Sequence, residues 1–148
     1  MADTVSHRRR PATPPGQTWT RVFPAHADQI RNARRVIAFA LEGCPAADDA
    51  VLCVSELATN SVLHSDSSKP GGTFTVHAEM HEGDCVWIEV TDNGGLWVKH
   101  GRRDGRPHGL AIVGELAADW GVEGGPLTGW TVWARLDWPT NGSPAGEI

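Results

Sequence analysis

Residues 55–65 read SELATNSVLHS, a stretch that puts a carboxylate and a carboxamide four positions apart. Four positions make about one helical turn, so a helix through this stretch presents Glu56, Asn60 and His64 on one face. An amide oxygen is a hard ligand suited to Mg²⁺, and a carboxylate can accept the proton of an attacking hydroxyl. The pair therefore indicates phosphate chemistry, with a solvated Glu and Asn on an ordinary helix as the alternative for the pair alone.

The next polar signal along the chain is VTDNGG at residues 90–95. It interrupts CVWIEV, residues 85–90, whose alternating pattern predicts a half-buried strand. Asp92 therefore lies where a strand ends and can accept a hydrogen bond from an exocyclic amine. Gly94 and Gly95 would let a flat ring approach the backbone. An ordinary hairpin turn is the alternative, because Asp-Asn-Gly-Gly is typical turn sequence.

A third signal is HGLAIV at residues 108–113. Apolar residues recur at helical spacing through LAIVGELAADW, so Gly109 is predicted to open a helix that runs towards Trp120. The first N–H groups of a helix have no partners inside it, and the positive end of the helix dipole suits a polyphosphate. A plain junction between a loop and a helix is the alternative.

The rest of the sequence predicts an α+β fold, a two-layer sandwich in which helices pack on one face of a mixed, mainly antiparallel sheet. Strands are predicted at 19–23, 73–80, 85–90 and 130–138, and helices at 28–41 and from Pro45 to about His64. Residues 18–138 are expected to form one domain, between a disordered N-terminal arm (1–17) and a disordered C-terminal tail (139–148).

Composition excludes several classes of protein. The 148 residues carry a net charge of −5 with no broad basic face, so nucleic acid is not an expected partner. No apolar run is long enough to cross a bilayer, so no membrane association is expected. The odd number of cysteines, Cys44, Cys53 and Cys85, is not in a metal-like spacing and predicts reduced core thiols in a cytoplasmic protein.

The order of these segments resembles the ATP-binding domain of the gyrase, histidine-kinase and MutL superfamily. Within it, the chain is most similar to the small stand-alone anti-sigma-factor serine/threonine kinases. ELATNSVLHS resembles the N-box of that family, VTDNGG and HGLAIV its two glycine boxes, and GWTVWARL its last strand. The resemblance covers about residues 18–138 and implies binding of ATP and Mg²⁺.

Residue roles follow from the resemblance position by position. Asn60 would be the Mg²⁺ ligand, Glu56 the catalytic base and Asp92 the carboxylate that recognises adenine. The other implied nucleotide-binding residues are Gly94, Gly95 and Thr131 around the adenine, and Lys99, Arg106, His108, Gly109 and Leu110 beside the phosphates. We expect Asp92→Ala to remove adenine recognition and to leave the fold intact.

One residue departs from the family pattern. Pro107 stands where the second box usually has a glycine, so one potential N–H donor to phosphate is missing. Residues 99–106 take the place of the family's mobile lid, and their four cations could compensate electrostatically. A solvated basic loop is the alternative for this segment.

The implied function is transfer of the ATP γ-phosphoryl group to an anti-sigma-factor antagonist, in a regulator of transcription that can form a homodimer. The alternative is a non-catalytic, nucleotide-regulated module that sequesters a sigma factor or an antagonist.

Overall fold

The computed structural model describes residues 10–96 and 110–139. Five strands in these ranges form one sheet in the order β1-β2-β3-β5-β4, and each of the four pairings is antiparallel. The strands are β1 (Gln17–Pro24), β2 (Thr73–His81), β3 (Cys85–Thr91), β4 (Asp119–Gly125) and β5 (Gly129–Asp137). The helices are α1 (Ala27–Ala40), α2 (Ala47–His64) and α3 (Ala111–Leu116), with one 3₁₀ turn at Asp66–Ser68. The predicted α+β class is confirmed.

Alternation along the strands separates the two faces of the sheet. In β3, Val86, Ile88 and Val90 join the buried core beneath the helices. Trp87 and Glu89 point to the opposite side, because successive side chains of a strand face opposite ways. This second side is called the outer face below, and it includes His77, Glu79, His81, Trp87, Glu89 and Trp133.

The helical layer completes the core through α1 and α2. Ile37 of α1 and Val54 and Leu57 of α2 are almost fully buried against the sheet. Each such side chain contributes about 1.5–3 kcal/mol relative to an exposed position. This packing fixes the orientation of α2, and with it the direction of the side chains on its polar face.

The C-terminal region differs from the prediction in two ways. The predicted helix towards Trp120 is wrong in length, because α3 ends at Leu116. The strand β4 was not predicted at all. The helix stops because the N–H of Ala118 donates to the carbonyl of Arg135 at 2.8 Å, which draws the chain onto β5 instead.

The described part of the N-terminal arm lies against the sheet. The N–H of Gly16 donates to the carbonyl of Met80 at 2.8 Å, and the Thr13 hydroxyl donates to Asp84 at 2.8 Å. Residues 1–9 and 140–148 are outside the described residues, and the predicted domain boundaries stay predictions. Within the described ranges, no helix has the length and apolar character needed to span a membrane.

Candidate functional site

Glu56 and Asn60 occupy successive turns in the middle of α2, as predicted. Asn60 is only 4% exposed, and its side-chain Nδ2 has no hydrogen-bond partner among the described residues. Glu56 is half-buried. A buried amide is normally satisfied inside a protein, because an unpaired one costs about 1–3 kcal/mol. The exception at Asn60 indicates a partner that lies outside the described residues.

The acidic side of α2 also affects a neighbouring thiol. Burial, followed by the negative charges of Asp49 and Glu56, raises the pKa of Cys53 to about 12. The Glu56 carboxylate therefore lies close enough to the buried Cys53 to act on it electrostatically. This thiol is protonated at neutral pH and is not a candidate nucleophile.

Asp92 is buried at the end of β3, where its carboxylate accepts two backbone hydrogen bonds. Oδ1 accepts from the N–H of Gly94 at 2.7 Å and from the N–H of Trp130 at 3.0 Å. The carboxylate thus holds the glycine loop to the start of β5. Asp92→Ala would leave two buried donors without this acceptor, so we now expect the change to destabilise the fold as well, and its effect on adenine recognition stays a prediction.

The two glycines after Asp92 are required by the protein's own backbone. Gly94 and Gly95 have φ of 86° and 80°, which side chains rarely tolerate. A Cβ on Gly94 would collide with the carbonyl oxygen of Pro126, and one on Gly95 with the carboxylate of Asp66. The positive φ accounts for both glycines, and at Gly94 the close packing of the Pro126 backbone adds to it, independently of any bound ring.

Hydrogen bonds join this glycine loop to the segment that follows α2. The N–H of Asp66 donates to the carbonyl of Gly94 at 2.8 Å, and the N–H of Asn93 donates to the hydroxyl of Ser67 at 3.0 Å. The side chain of Asn93 accepts in turn from the N–H of Thr73 at 2.7 Å. The helix that carries Glu56 and Asn60 is therefore tied directly to the loop that carries Asp92.

The last strand joins the same cluster through Trp130. Its carbonyl accepts from the N–H of Asp92 at 2.9 Å, and its indole Nε1–H donates to the carbonyl of Gly95 at 2.8 Å. Sequence reasoning assigned this tryptophan no role. Trp130 directly follows Gly129 at the start of GWTVWARL, and this position could have indicated a role near the glycine loop.

Comparisons with known proteins identify this arrangement. The family described as histidine kinase-like ATPase domain matches residues 23–135. The chain belongs to this family. The resemblance found in the sequence is confirmed at that level, and membership supports ATP binding.

Solved structures agree on the fold, and twelve of their chains match this ATPase domain. One contains the RsbU and RsbW domains of a Mycobacterium tuberculosis protein, with a TM-score of 0.60 and 22% identity. The match covers 85% of this chain and 34% of that one, so this ATPase domain spans about a third of its neighbour's length. Among curated protein sequences, none matches significantly.

One further predicted nucleotide-binding residue, Thr131, has its hydroxyl next to Thr91, and no hydrogen bond joins its side chain to Asp92 among the described residues. The hydroxyl of Thr131 lies 2.8 Å from that of Thr91, its partner in the β3–β5 register. Alternation puts both threonines on the outer face, since Val90 and Val132 face the helices. The role of Thr131 at adenine stays a prediction.

Leu110 is buried in the core directly before α3. Its side chain therefore packs inside the ATPase domain, and only its backbone could approach a phosphate. The other residues of the second box and its preceding segment, Lys99, Arg106, Pro107, His108 and Gly109, lie outside the described residues.

The side chains of Asn60 and Glu56 fit the Mg²⁺ ion that the family implies. Asn60 provides a buried amide next to an acidic side chain one turn away. Its Nδ2 is a donor without a partner among the described residues and suits a phosphate oxygen, while its Oδ1 is the atom that could bind Mg²⁺. Amide and carboxylate oxygens are the ligands that Mg²⁺ prefers. A cavity of about 360 Å³ elsewhere, between β1 and α1, is lined by apolar side chains with Thr20 and Arg21 and has no carboxylate. It is therefore a poorer place for a metal-bound phosphate.

Proposed function

We propose that this ATPase domain binds ATP with Mg²⁺ and transfers the γ-phosphoryl group to a serine or threonine of a partner protein. The observation that carries the proposal is the buried, unsatisfied amide of Asn60, one helical turn from Glu56. The helix that holds both residues is hydrogen-bonded, through Asp66 and Ser67, to the loop of Asp92. Groups suited to phosphate and to adenine are therefore held on one connected framework.

Each residue has a defined part in the proposed reaction. Asp92 accepts a hydrogen bond from the adenine amine, and the amide oxygen of Asn60 would hold Mg²⁺. Glu56 takes the proton of the incoming hydroxyl, whose oxygen forms a bond to the γ-phosphorus while the bond to ADP breaks. When bound, Mg²⁺ neutralises charge on the phosphates.

Two observations support a protein substrate of the kind bound by anti-sigma-factor kinases. The four sequence boxes resemble that family, and the fold matches a structure that contains an RsbW domain. We propose an anti-sigma-factor antagonist as the acceptor and the cytoplasm as the location. Three free, buried cysteines are compatible with a reducing compartment.

The first test is a calorimetric titration of the full chain with ATP, with and without Mg²⁺. We expect saturable binding that Mg²⁺ strengthens, and Asn60→Ala should abolish this strengthening. Asn32→Ala is the matched control, because Asn32 is exposed on α1 and bonds only to Gln29 in the described structure. A folded wild-type chain that does not bind ATP would refute the proposal.

Asn60→Ala also separates a ligand role from a structural role. The Nδ2 of Asn60 has no partner among the described residues, so its loss should change the free energy of unfolding by less than about 1 kcal/mol. A much larger destabilisation, measured by urea denaturation, would make Asn60 a structural residue.

Adenine recognition is best tested with Asp92→Asn. The amide retains an oxygen that can accept from Gly94 and Trp130, while it replaces the second carboxylate oxygen with a donor. We expect ATP affinity to fall at least tenfold. Unchanged affinity would remove Asp92 from the adenine site.

The kinase step is tested with Glu56→Gln and labelled ATP in the presence of an acceptor protein shown to bind. Transfer should be lost while ATP binding persists, and Glu42→Gln, an exposed control, should retain both activities. The second candidate, a sequestering module without catalysis, is favoured by Pro107. Binding of both ATP and the partner without transfer would select it.

A further inference from the structure

Arg10 occupies a defined site on the outer face of the sheet. Its guanidinium donates to Glu79 at 2.9 Å and to Glu89 at 3.0 Å. The same group lies 4.6 Å above the centre of the Trp87 ring. Two carboxylates at the edge of a guanidinium and an aromatic ring beneath it are the contacts that distinguish arginine from lysine.

The carboxylates of this site are held in place by other side chains. Glu79 is 6% exposed and interacts with His77 Nε2 at 2.8 Å and with His81 Nε2 at 2.9 Å. Burial acts to raise the pKa of Glu79, but hydrogen bonds from both histidines and Arg10 outweigh it and lower that pKa. Glu89 accepts from the indole N–H of Trp87 at 2.8 Å. An ionised, oriented acceptor pair therefore faces the arginine.

The aromatic floor of the site is equally constrained. Trp87 stacks on Trp133 with ring centres 4.7 Å apart and planes only 7° from parallel. On β4, Gly121 leaves room for this stack, since a Cβ there would lie 2.7 Å from the Trp133 ring. The flat surface under Arg10 is thus fixed by three adjacent strands.

The segment that brings Arg10 to this site is attached mainly through polar contacts. Besides Arg10, Thr13 contacts Asp84 and His81, and the backbone N–H of Gly16 donates to Met80. Residues 12–15 are exposed, and the side chain of Arg10 remains 39% exposed. Because the exposed residues 12–15 bury no apolar side chain, we expect the segment to leave the sheet more readily than a strand would, and so to exchange with a competitor.

We propose that the outer face carries an arginine-binding site, which the chain fills with its own Arg10 and which accepts an arginine of another protein when residues 10–16 leave. The occupant is a peptide segment that contains an arginine, whose guanidinium stacks on Trp87 and reaches both carboxylates. This site does not depend on ATP binding and lies on the opposite face from the core-facing helices.

The test uses the full chain with Arg10→Ala and the indole N–H resonance of Trp87, assigned with Trp87→Phe. Arg10→Ala should shift this resonance, and N-acetyl-arginine amide should restore it saturably. N-acetyl-lysine amide should be at least tenfold less effective, because an ammonium group cannot bridge the two carboxylates with a flat group stacked on Trp87. Arg21→Ala is the matched control, since Arg21 also lies over an aromatic ring, 5.9 Å from the centre of Phe23, but on the other face.

A peptide with the sequence of residues 6–16 tests occupation by a separate chain. It should bind the Arg10→Ala protein, and the same peptide with alanine at the third arginine should not. Three results would each overturn the proposal. The Trp87 resonance could stay unmoved in Arg10→Ala, the lysine compound could restore it as well as the arginine compound, or both peptides could bind alike. If the arginine amide restores the resonance but the peptide does not bind, the site does not accept an arginine of another protein.

Discussion

At the level of single residues, Asp92 combines a predicted position with a function that the sequence did not reveal. The pattern of a strand followed by Asp-Asn-Gly-Gly correctly placed a carboxylate at a strand end. The hydrogen bond from the N–H of Trp130 joins positions 38 residues apart, and no local pattern encodes it. The position of the carboxylate was therefore predictable, while the hydrogen bond that it accepts from Trp130 depends on the tertiary structure.

His81 shows a similar dependence on tertiary structure. Its Nδ1 lies 2.8 Å from the carbonyl oxygen of Thr13, and its Nε2 lies 2.9 Å from a carboxylate oxygen of Glu79. These two contacts hold the ring between the N-terminal arm and Glu79. Thr13 and His81 are 68 residues apart, so no local pattern in the sequence predicts that they meet.

Glu79 predicts how stability depends on acid. Its pKa is lowered in the folded state, so its contribution is present above the unfolded pKa near 4.5 and is lost as pH falls through the folded value. We expect the free energy of unfolding to decline more steeply below about pH 4.5 in the wild type than in Glu79→Gln. Urea denaturation between pH 3 and 7 measures this difference. Glu82→Gln, an exposed change in the adjacent turn, should behave like the wild type, and equal slopes for all three proteins would contradict the prediction.

At the level of elements, the predicted α2 and the β2–β3 hairpin agree with the structure to within a few residues. Their periodic patterns are strong and their boundaries carry acidic or turn residues. The strand β4 was missed because its sequence, DWGVEGG, contains three glycines and has low strand propensity. This segment is a strand because it pairs with β5, and the sequence of the segment itself does not predict that pairing.

The glycine loop permits a controlled test of close packing between elements. Gly94→Ala should destabilise the chain through its positive φ and through collision with the carbonyl of Pro126. Gly43→Ala is the matched control, because Gly43 has the same φ of 86° with nothing within 4 Å of a built Cβ. We expect a loss of about 1 kcal/mol for Gly43→Ala and about 2 kcal/mol more for Gly94→Ala, measured by urea denaturation. Equal losses would mean that the Pro126 loop moves freely away.

At the level of the whole molecule, the cysteines predicted as core thiols are free and buried, as the structure confirms. Burial, with smaller contributions from Asp84 and Asp137, raises the pKa of Cys85 to about 12, and Cys53 has a similarly raised pKa. Both are thiols at pH 8, about a thousandfold less ionised than an ordinary cysteine.

These thiols provide a probe of global unfolding. In a Cys44→Ser protein, a thiol reagent at pH 8 should label Cys53 and Cys85 only as fast as the molecule opens, and denaturant should accelerate both together. Rapid labelling of either residue in the absence of denaturant would show that the core around it opens locally.

The strand order has a consequence for synthesis on the ribosome. β5 is the last strand in the described chain, yet it lies between β3 and β4 in the sheet. Within the described ranges β4 pairs only with β5, and the side of β3 away from β2 stays unpaired until β5 arrives. A nascent chain therefore carries an open, apolar sheet edge until residues 129–137 have emerged. A chain released before that point would be prone to aggregation through this edge.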